Sequence, residues 1–385
     1  MGLPAIFQLK RRYNSMQWTK CTGVLLLCLW FSPAKAQITG GQFAMEYLRL
    51  AEAPHISALG GINVSNPDED VSFALQNPAL VRPSLHNQLE ISDNAYYSDI
   101  NIMNLIYGYH AEKINTSFAF GVKYLNYGTF SQTDPTGMQY GDFHANDYAV
   151  SVAASHRYGE RWRYGATLKW AHSTLYDKTQ SALLTDIGIN YTDTENHITV
   201  GAVAKNMGVT IKKYNPDYTA EPLPFDLQIG ASKQFKHLPL RLIGTIHHLY
   251  EWDVRYDNPA DITTSTLSGT TDTSHKSSGS NFADKLFRHF IFGAEVLLQK
   301  RIVLSVSYNH LRHQEMSLQD QSGLTGFSFG AGIYLNKFQI HYARSYYYIG
   351  GAYNEFGLNM ALNKIMSIGT GTDKLHWNKE YKDWE

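Results

Sequence analysis

From about Leu89 to Leu362, apolar side chains alternate with small or polar ones in short stretches, and the gaps between the stretches run short, then long, then short again. Within 116–124, Thr116, Phe118, Phe120, Val122 and Tyr124 share one face of an extended chain, while Ser117, Ala119, Gly121 and Lys123 share the other, because successive side chains of a strand point to opposite faces. Those two faces suit different solvents. The same period recurs in Tyr148, Val150, Val152 and Ala154, in Ile302, Leu304, Val306 and Tyr308, in Phe327, Phe329, Ala331 and Ile333, and in Phe356, Leu358, Met360 and Leu362. Fourteen such segments are predicted, at 87–94, 101–110, 116–125, 146–157, 162–172, 183–192, 197–205, 226–235, 240–250, 288–299, 301–310, 326–335, 337–345 and 353–363.

The gaps sharpen this reading. Tight turns are expected at 112–114, 159–161, 193–196, 236–239, 300 and 336, and long excursions at 126–145, 206–225, 251–287 and 311–325. Bacterial outer-membrane barrels combine an even strand count, about ten residues per tilted strand, short periplasmic turns and long extracellular loops. A soluble β-sandwich also alternates, but nothing in its architecture separates loop lengths by parity. The pattern predicts an all-β fold, a 14-stranded antiparallel transmembrane β-barrel over 87–363 in the bacterial outer membrane, with long loops extracellular and both termini periplasmic.

The amino terminus agrees with export. Lys10, Arg11, Arg12 and Lys20 precede an apolar core at 24–31, and Ala34-Lys35-Ala36 before Gln37 is a small-x-small cleavage site, so 1–36 reads as a signal peptide cut between Ala36 and Gln37. Met16 is an alternative start. No other stretch approaches the roughly 18 apolar residues of a membrane helix. Cys21 and Cys28 both lie in the removed segment, which leaves the mature chain without a disulfide, a thiol nucleophile or a thiolate metal site. Leu25-Leu26-Leu27-Cys28 lacks the small residue expected before a lipidated cysteine. Of 33 Lys and Arg, five fall in the signal, leaving 28 against 34 Asp and Glu and a mature net charge of −6; nucleic acid is not an expected partner. Many of the 26 tyrosines, among them Tyr107, Tyr109, Tyr124, Tyr164, Tyr191 and Tyr308, stand with Trp162 near strand ends, where amphipathic rings suit a lipid–water interface.

Four regions escape the strand rhythm. Residues 37–86 hold a helical-looking piece at 43–51, then Leu59-Gly60-Gly61 and Gln76-Asn77-Pro78-Ala79-Leu80-Val81. A 14-stranded barrel is wider than side chains alone readily fill, and many inward positions here are Gly, Ala or Ser, so this segment is expected to fold back as a plug; a periplasmic extension packed beneath the barrel is the alternative. Its motif is Asn77, Pro78 and Ala79, since Pro78 bars Asn77 from the helical region and frees the Asn side chain to cap the turn. Residues 257–281, rich in Ser and Thr, read as a mobile polar loop. The excursion 206–225 carries Tyr214, Tyr218, Pro222, Pro224 and Phe225, stiff and aromatic enough for a partner surface or for a lid over the mouth. Together with Tyr127, Phe130, Tyr140 and Phe143 of 126–145, these are the candidate partner-binding residues. The tail 364–385, with Trp377, Tyr381 and Trp384, is expected in the periplasm.

Catalytic signals are weak. Gly326-Phe327-Ser328-Phe329-Gly330 matches a nucleophile elbow, but that chemistry needs a sharp strand-to-helix turn, and this match lies within a predicted strand. His310 and His313 lack a convincing carboxylate set. His247 and His248, as neighbours on a strand, should point to opposite faces and not chelate one ion, while Asp253, Asp257 and Asp261 read as solvated. The expectation is a non-enzymatic chain with no cofactor and no metal.

Leu59-Gly60-Gly61 with Asn63-Val64-Ser65 and Gln76-Asn77-Pro78-Ala79-Leu80 resembles the beginning of the PorQ family of the Bacteroidetes type IX secretion system. Tyr127-Gly128-Thr129-Phe130, Gly141-Asp142-Phe143, Asp147-Tyr148-Ala149, Asp186-Ile187-Gly188, Lys205-Asn206-Met207-Gly208 and Pro222-Leu223-Pro224-Phe225-Asp226 continue the likeness over nearly the whole mature chain. Asn-Pro-Ala alone is shared more widely, with PorV proteins and FadL-like barrels. The resemblance implies an outer-membrane barrel that anchors a cell-surface attachment complex with PorU, PorV and PorZ, which joins secreted cargo to lipopolysaccharide. The competing reading is a FadL-like transporter of hydrophobic small molecules, which should have an apolar pocket behind the plug and a lateral opening such as a strand kink at Gly330 and Gly332.

Overall fold

The computed structural model describes residues 43–254, 278–299, 301–316, 323–348 and 350–366. Fourteen antiparallel strands close into one barrel, each pairing with its sequence neighbours and β1 with β14. They are β1 (Gln88–Ala95), β2 (Asn101–Ala111), β3 (Thr116–Thr133), β4 (Gln139–Tyr158), β5 (Trp162–Leu175), β6 (Lys178–Asp193), β7 (Ile198–Lys212), β8 (Asp226–Gln234), β9 (Leu240–Ile246), β10 (Phe290–Leu298), β11 (Ile302–Asn309), β12 (Phe327–Tyr334), β13 (Phe338–Tyr348) and β14 (Gly351–Ala361).

Alternation decides which solvent each face meets. On β5, Trp162, Tyr164, Leu168 and Trp170 point outward, while Arg163, Thr167, Lys169 and Ala171 are buried inside. Leu105, Phe120, Val150, Ile187, Ile229, Leu242 and Val306 continue the outward apolar surface on other strands. Closure leaves no unpaired sheet edge, and an apolar exterior over a polar lumen is the architecture that lets strands cross a bilayer. No helix among the described residues is long and apolar enough to cross a membrane. The barrel is thus of outer-membrane type.

Loop lengths follow parity less strictly than the sequence pattern implies. The 126–145 excursion is mostly strand: β3 and β4 continue past the bulge between Asn126 and Thr129 and pair out to Thr133 and Gln139. Asp134 closes this hairpin by accepting the Thr136 N–H at 2.8 Å, the Thr136 hydroxyl at 2.6 Å and the Met138 N–H at 3.0 Å. Those bonds, the Thr136 hydroxyl foremost, hold its carboxyl below the usual range. The predicted 206–225 excursion likewise starts as strand, to Lys212.

Residues 43–87 run down the lumen. Ala44, Met45, Tyr47 and Leu48 pack against Ile102, Leu125 and Leu184 at the long-loop end, and Leu85 packs on Ile106 before Asn87 N–H bonds Gly108 O near the short turns. Between them lie helix α1 (Pro54–Ala58) and short 3-10 turns at Glu46–Arg49, Val71–Leu75, Pro78–Leu80 and Pro83–Leu85. The helical-looking piece at 43–51 is therefore a single 3-10 turn. Phe43 stands at the long-loop end, whereas Ala361 pairs with Gln88 at the opposite end. The described part of the plug thus runs from the long-loop end to the base, where β1 begins. The cleavage pair Ala36 and Gln37, the stretch 255–277 of the Ser/Thr loop and the tail from 367 lie outside the described residues.

Candidate functional site

The plug is seated by one asparagine and facing glycines. Asn77 is extended (φ −144°, ψ 114°), and its Oδ1 accepts the Ala79 N–H at 3.0 Å, capping the Pro78–Leu80 turn. Its Nδ2 donates to Val64 O at 2.9 Å and to Ile189 O of β6 at 3.4 Å. The plug backbone comes this near the wall only because Gly188 and Gly201 face it. A Cβ on Gly188 would meet the Asn77 amide and Pro78, and one on Gly201 would stand 2.9 Å from the Val64 carbonyl carbon, nearer still to its oxygen, and 3.0 Å from Asn77 Nδ2.

Elsewhere in the lumen the plug is held by charge. His55 of α1 lies between two carboxylates, Nδ1 at 3.0 Å from Asp70 Oδ2 and Nε2 at 2.7 Å from Glu295 Oε1 of β10. Ionised carboxylates only accept, so both ring nitrogens donate and the imidazole is an imidazolium. Arg241 of β9 completes the set, with Nη1 2.8 Å from Glu295 Oε2 and 3.4 Å from Asp68 Oδ2. A second group joins Lys123 Nζ to Glu52 Oε1 at 3.4 Å and to Leu50 O at 2.5 Å. Lys169 meets Asp186 at 2.6 Å and Asn206 Oδ1 at 2.9 Å. Buried ions are tolerable only when partnered, so the pairs that reach His55, Asp68, Asp70 and Glu52 fix where the plug sits, while Lys169 and Asp186 join β5 to β6 within the wall.

At the mouth, helix α2 (His310–Met316), which follows β11, reaches over the plug. Arg312 lies 3.8 Å from the centre of the Tyr347 ring, and its Nη2 donates to Gly60 O at 3.3 Å. Across the mouth a cavity of about 320 Å³ opens between the plug and the rim, lined by Phe43, Met45, Tyr47, Tyr127, Phe130 and Tyr214, with Asp147 and Ser173 on its polar side. Tyr127 donates to Asp147 Oδ2 at 2.6 Å, and Ser173 joins Asp147 and Tyr214.

The loop residues singled out in the sequence divide into three groups. Tyr127, Phe130 and Tyr214 line the cavity, and Phe143 stacks on Phe130 at 5.2 Å behind it. Pro222, Pro224 and Phe225 hold the plug and its rim: Pro222 O accepts the Ala44 N–H at 2.9 Å, Pro224 O accepts Asn206 Nδ2 at 3.0 Å, and Phe225 O accepts Arg49 Nη2 at 3.5 Å. Tyr140 and Tyr218 project into solvent, 64% and 71% exposed. Sequence reasoning missed Phe43, Met45 and Tyr47 as cavity wall, because nothing local says that they pack at the mouth.

Other expectations can be placed as well. Ser328 of the elbow-like pentapeptide lies on continuous strand β12, facing inward. Gly330 and Gly332 produce no kink, since β12 pairs without a register break on both sides; Gly330 makes room for Ala58. His247 and His248 contradict the expectation of opposite faces. β9 ends at Ile246 and His248 turns to φ +55°, which brings the two rings to 4.7 Å.

No family model and no curated relative matches the chain. Among solved structures it is similar to the TodX monoaromatic hydrocarbon channel (deltaS2 mutant), at 12% identity and a TM-score of 0.43 over 81% of this chain and 97% of that one. It is also similar to the CymD monoaromatic hydrocarbon channel, at 10% identity and 0.46 over 81% and 97%, and to the KdgM porin, at 5% and 0.31 over 71% and 98%.

Proposed function

We propose that this barrel takes up small hydrophobic molecules from the outer face of the membrane, binding them in the mouth cavity before the plug yields. The observation that carries the reading is the cavity itself. It is about 320 Å³, the scale of a small-molecule site, with Phe43, Met45, Tyr47, Phe130 and Leu175 offering apolar surface and Asp147, Ser173 and Gln180 offering polar atoms along one side. A ligand with an apolar body and one hydrogen-bonding end fits that distribution. One wall belongs to the plug, so occupancy and plug position are mechanically joined. The test is binding of the apolar fluorophore 1-N-phenylnaphthylamine to the purified barrel in detergent. Saturable enhancement that drops at least fivefold in Met45→Asp and Phe130→Asp is expected, and enhancement that ignores both substitutions defeats the reading.

A second reading has its own support. The ordered motif likeness to the PorQ family suggests an anchor for a surface attachment complex with PorZ, PorU and PorV, and the long β3–β4 hairpin presents Met138 and Tyr140, 70% and 64% exposed, at its tip. Exposed large side chains on a rigid hairpin suit protein contact. Loss of a surface protein such as PorZ from cells carrying a β3–β4 hairpin truncation, with fluorophore binding intact, would favour the anchor over transport.

A further inference from the structure

Asp226, His247 and His248 converge where β8 begins and β9 ends, with ligand atoms all within 4.8 Å of one another. His247 Nδ1 and His248 Nδ1 face each other at 2.5 Å. At most one of these nitrogens donates to the other, and with each ring's proton on Nε2 both Nδ1 lone pairs point into the group. Asp226 accepts the His248 N–H at 2.7 Å and the Gln228 amide at 2.7 Å. Both donors are neutral, and among the described residues Asp226 makes no ion pair, although it is 3% exposed. Of the other buried carboxylates discussed above, Asp70, Glu295 and Asp186 each have a cation, while Asp147 is held by the Tyr127 and Ser173 hydroxyls. A buried carboxylate without one is costly. His247 is 1% exposed and its Nε2 also lacks a partner.

The backbone is arranged to hold these groups. His248 takes a left-handed conformation, φ +55°, uncommon for a residue with a side chain, and its amide is tied to Asp226. His289, which precedes β10, clamps the other side: its carbonyl accepts the His247 N–H at 3.0 Å, and its Nδ1 lies 2.8 Å from His247 O. Three connected strands therefore position two imidazoles and one carboxylate at a fixed point on the rim.

We propose that Asp226, His247 and His248 form a site for a borderline divalent cation of the zinc and nickel class. Two neutral imidazole nitrogens and one carboxylate are the ligand types such ions take, and three protein ligands leave a coordination position open. At zinc–nitrogen distances of about 2.0–2.1 Å a tetrahedral ion separates two nitrogens by roughly 3.4 Å, so each ring swings back about half an ångström as the ion enters. The ion supplies the positive charge that Asp226 lacks, and it cross-links the start of β8 to the end of β9 just below the rim. The two other convergent groups, His55 with Asp70 and His341 and His55 with Asp68 and Glu295, do not compete for this role, because His55 and Arg241 already neutralise those carboxylates.

The experiment is titration of zinc and of nickel into the full-length folded barrel in detergent, read by competition with a chromophoric chelator. Zinc-edge X-ray absorption of the loaded protein gives the ligands. One ion per chain is expected, with scattering from two imidazoles. Asp226→Asn and His248→Gln should each weaken binding at least tenfold, whereas the exposed His237→Gln should leave it unchanged, with folding followed by heat-modifiable gel mobility. Absence of saturable binding, absence of histidine scattering, or equal affinity in the folded site variants and the wild type would overturn the proposal. The absorption measurement uses only the wild-type chain, so it decides the matter even if a variant does not fold.

Discussion

Asn77→Ala should unseat the plug while leaving the barrel closed. The change removes the Oδ1 cap on the Ala79 N–H and the Nδ2 bonds to Val64 O and Ile189 O. Loss of an N-cap costs about 1 kcal/mol, and a buried hydrogen bond contributes roughly 0.5–1.5 kcal/mol net, with the abandoned carbonyls adding desolvation. The sum, roughly 2–4 kcal/mol, corresponds to about a 30- to 700-fold rise in the unseated population. Strand pairing is untouched, since the site of change lies on the plug and the barrel closes on itself through β1 and β14. Gly201→Ala approaches the same event from the wall, wedging a methyl group against the Val64 carbonyl and the Asn77 amide, an overpacking that costs about 1–3 kcal/mol. Two assays read the result. In planar bilayers both variants should show channel openings well above the wild-type frequency, and amide exchange over 63–81 should accelerate while exchange in β3–β6 stays slow. If both variants conduct no more often than wild type and exchange over 63–81 is unchanged, the plug is not held by this seat.

Other contacts make separable predictions. Arg241→Ala takes from Glu295 its 2.8 Å partner and leaves it His55 as its ion-pair partner; breaking a buried pair costs about 3–5 kcal/mol, and Arg241→Ala with Glu295→Gln should recover part of it, as a double-mutant cycle in urea would measure. Arg312→Ala removes the cation–ring contact with Tyr347 and a bond to Gly60 O, so trypsin should cut faster within the plug while gel heat-modifiability persists; an unchanged cleavage rate counts against the latch. Leu168→Arg places a charge on the lipid face of β5, 57% exposed at present, and should lower folding stability in liposomes by about 2–4 kcal/mol if it lies near the bilayer midplane. Inward Thr167→Ser, one residue away, should change it by far less. Tyr127→Phe removes the 2.6 Å bond to Asp147 without removing the ring, and should weaken fluorophore binding less than Tyr127→Ala does.

What the sequence determined by itself was the strand code. A period of two over fourteen segments specifies which side chains meet lipid and which the lumen, because a one-residue slip would exchange the two faces of a whole strand. Ser117 and Lys123 inward against Phe120 and Val122 outward needed no tertiary information. The turn at Asn77 was legible for the same local reason: a proline restricts the residue before it, and an asparagine can cap its own turn. Only the tertiary structure decided where that turn sits, that residues 43–48 pack at the mouth, and that Phe43, Met45 and Tyr47 share a cavity with Tyr127 and Tyr214, residues more than 75 positions away in the chain. His247 and His248 show the boundary most clearly. Strand alternation separates neighbouring side chains only while the strand lasts, and β9 stops one residue before them. Where a strand ends depends on its partners across the sheet, here β8 and β10 and the His289 clamp, and a local pattern carries no record of those distant residues.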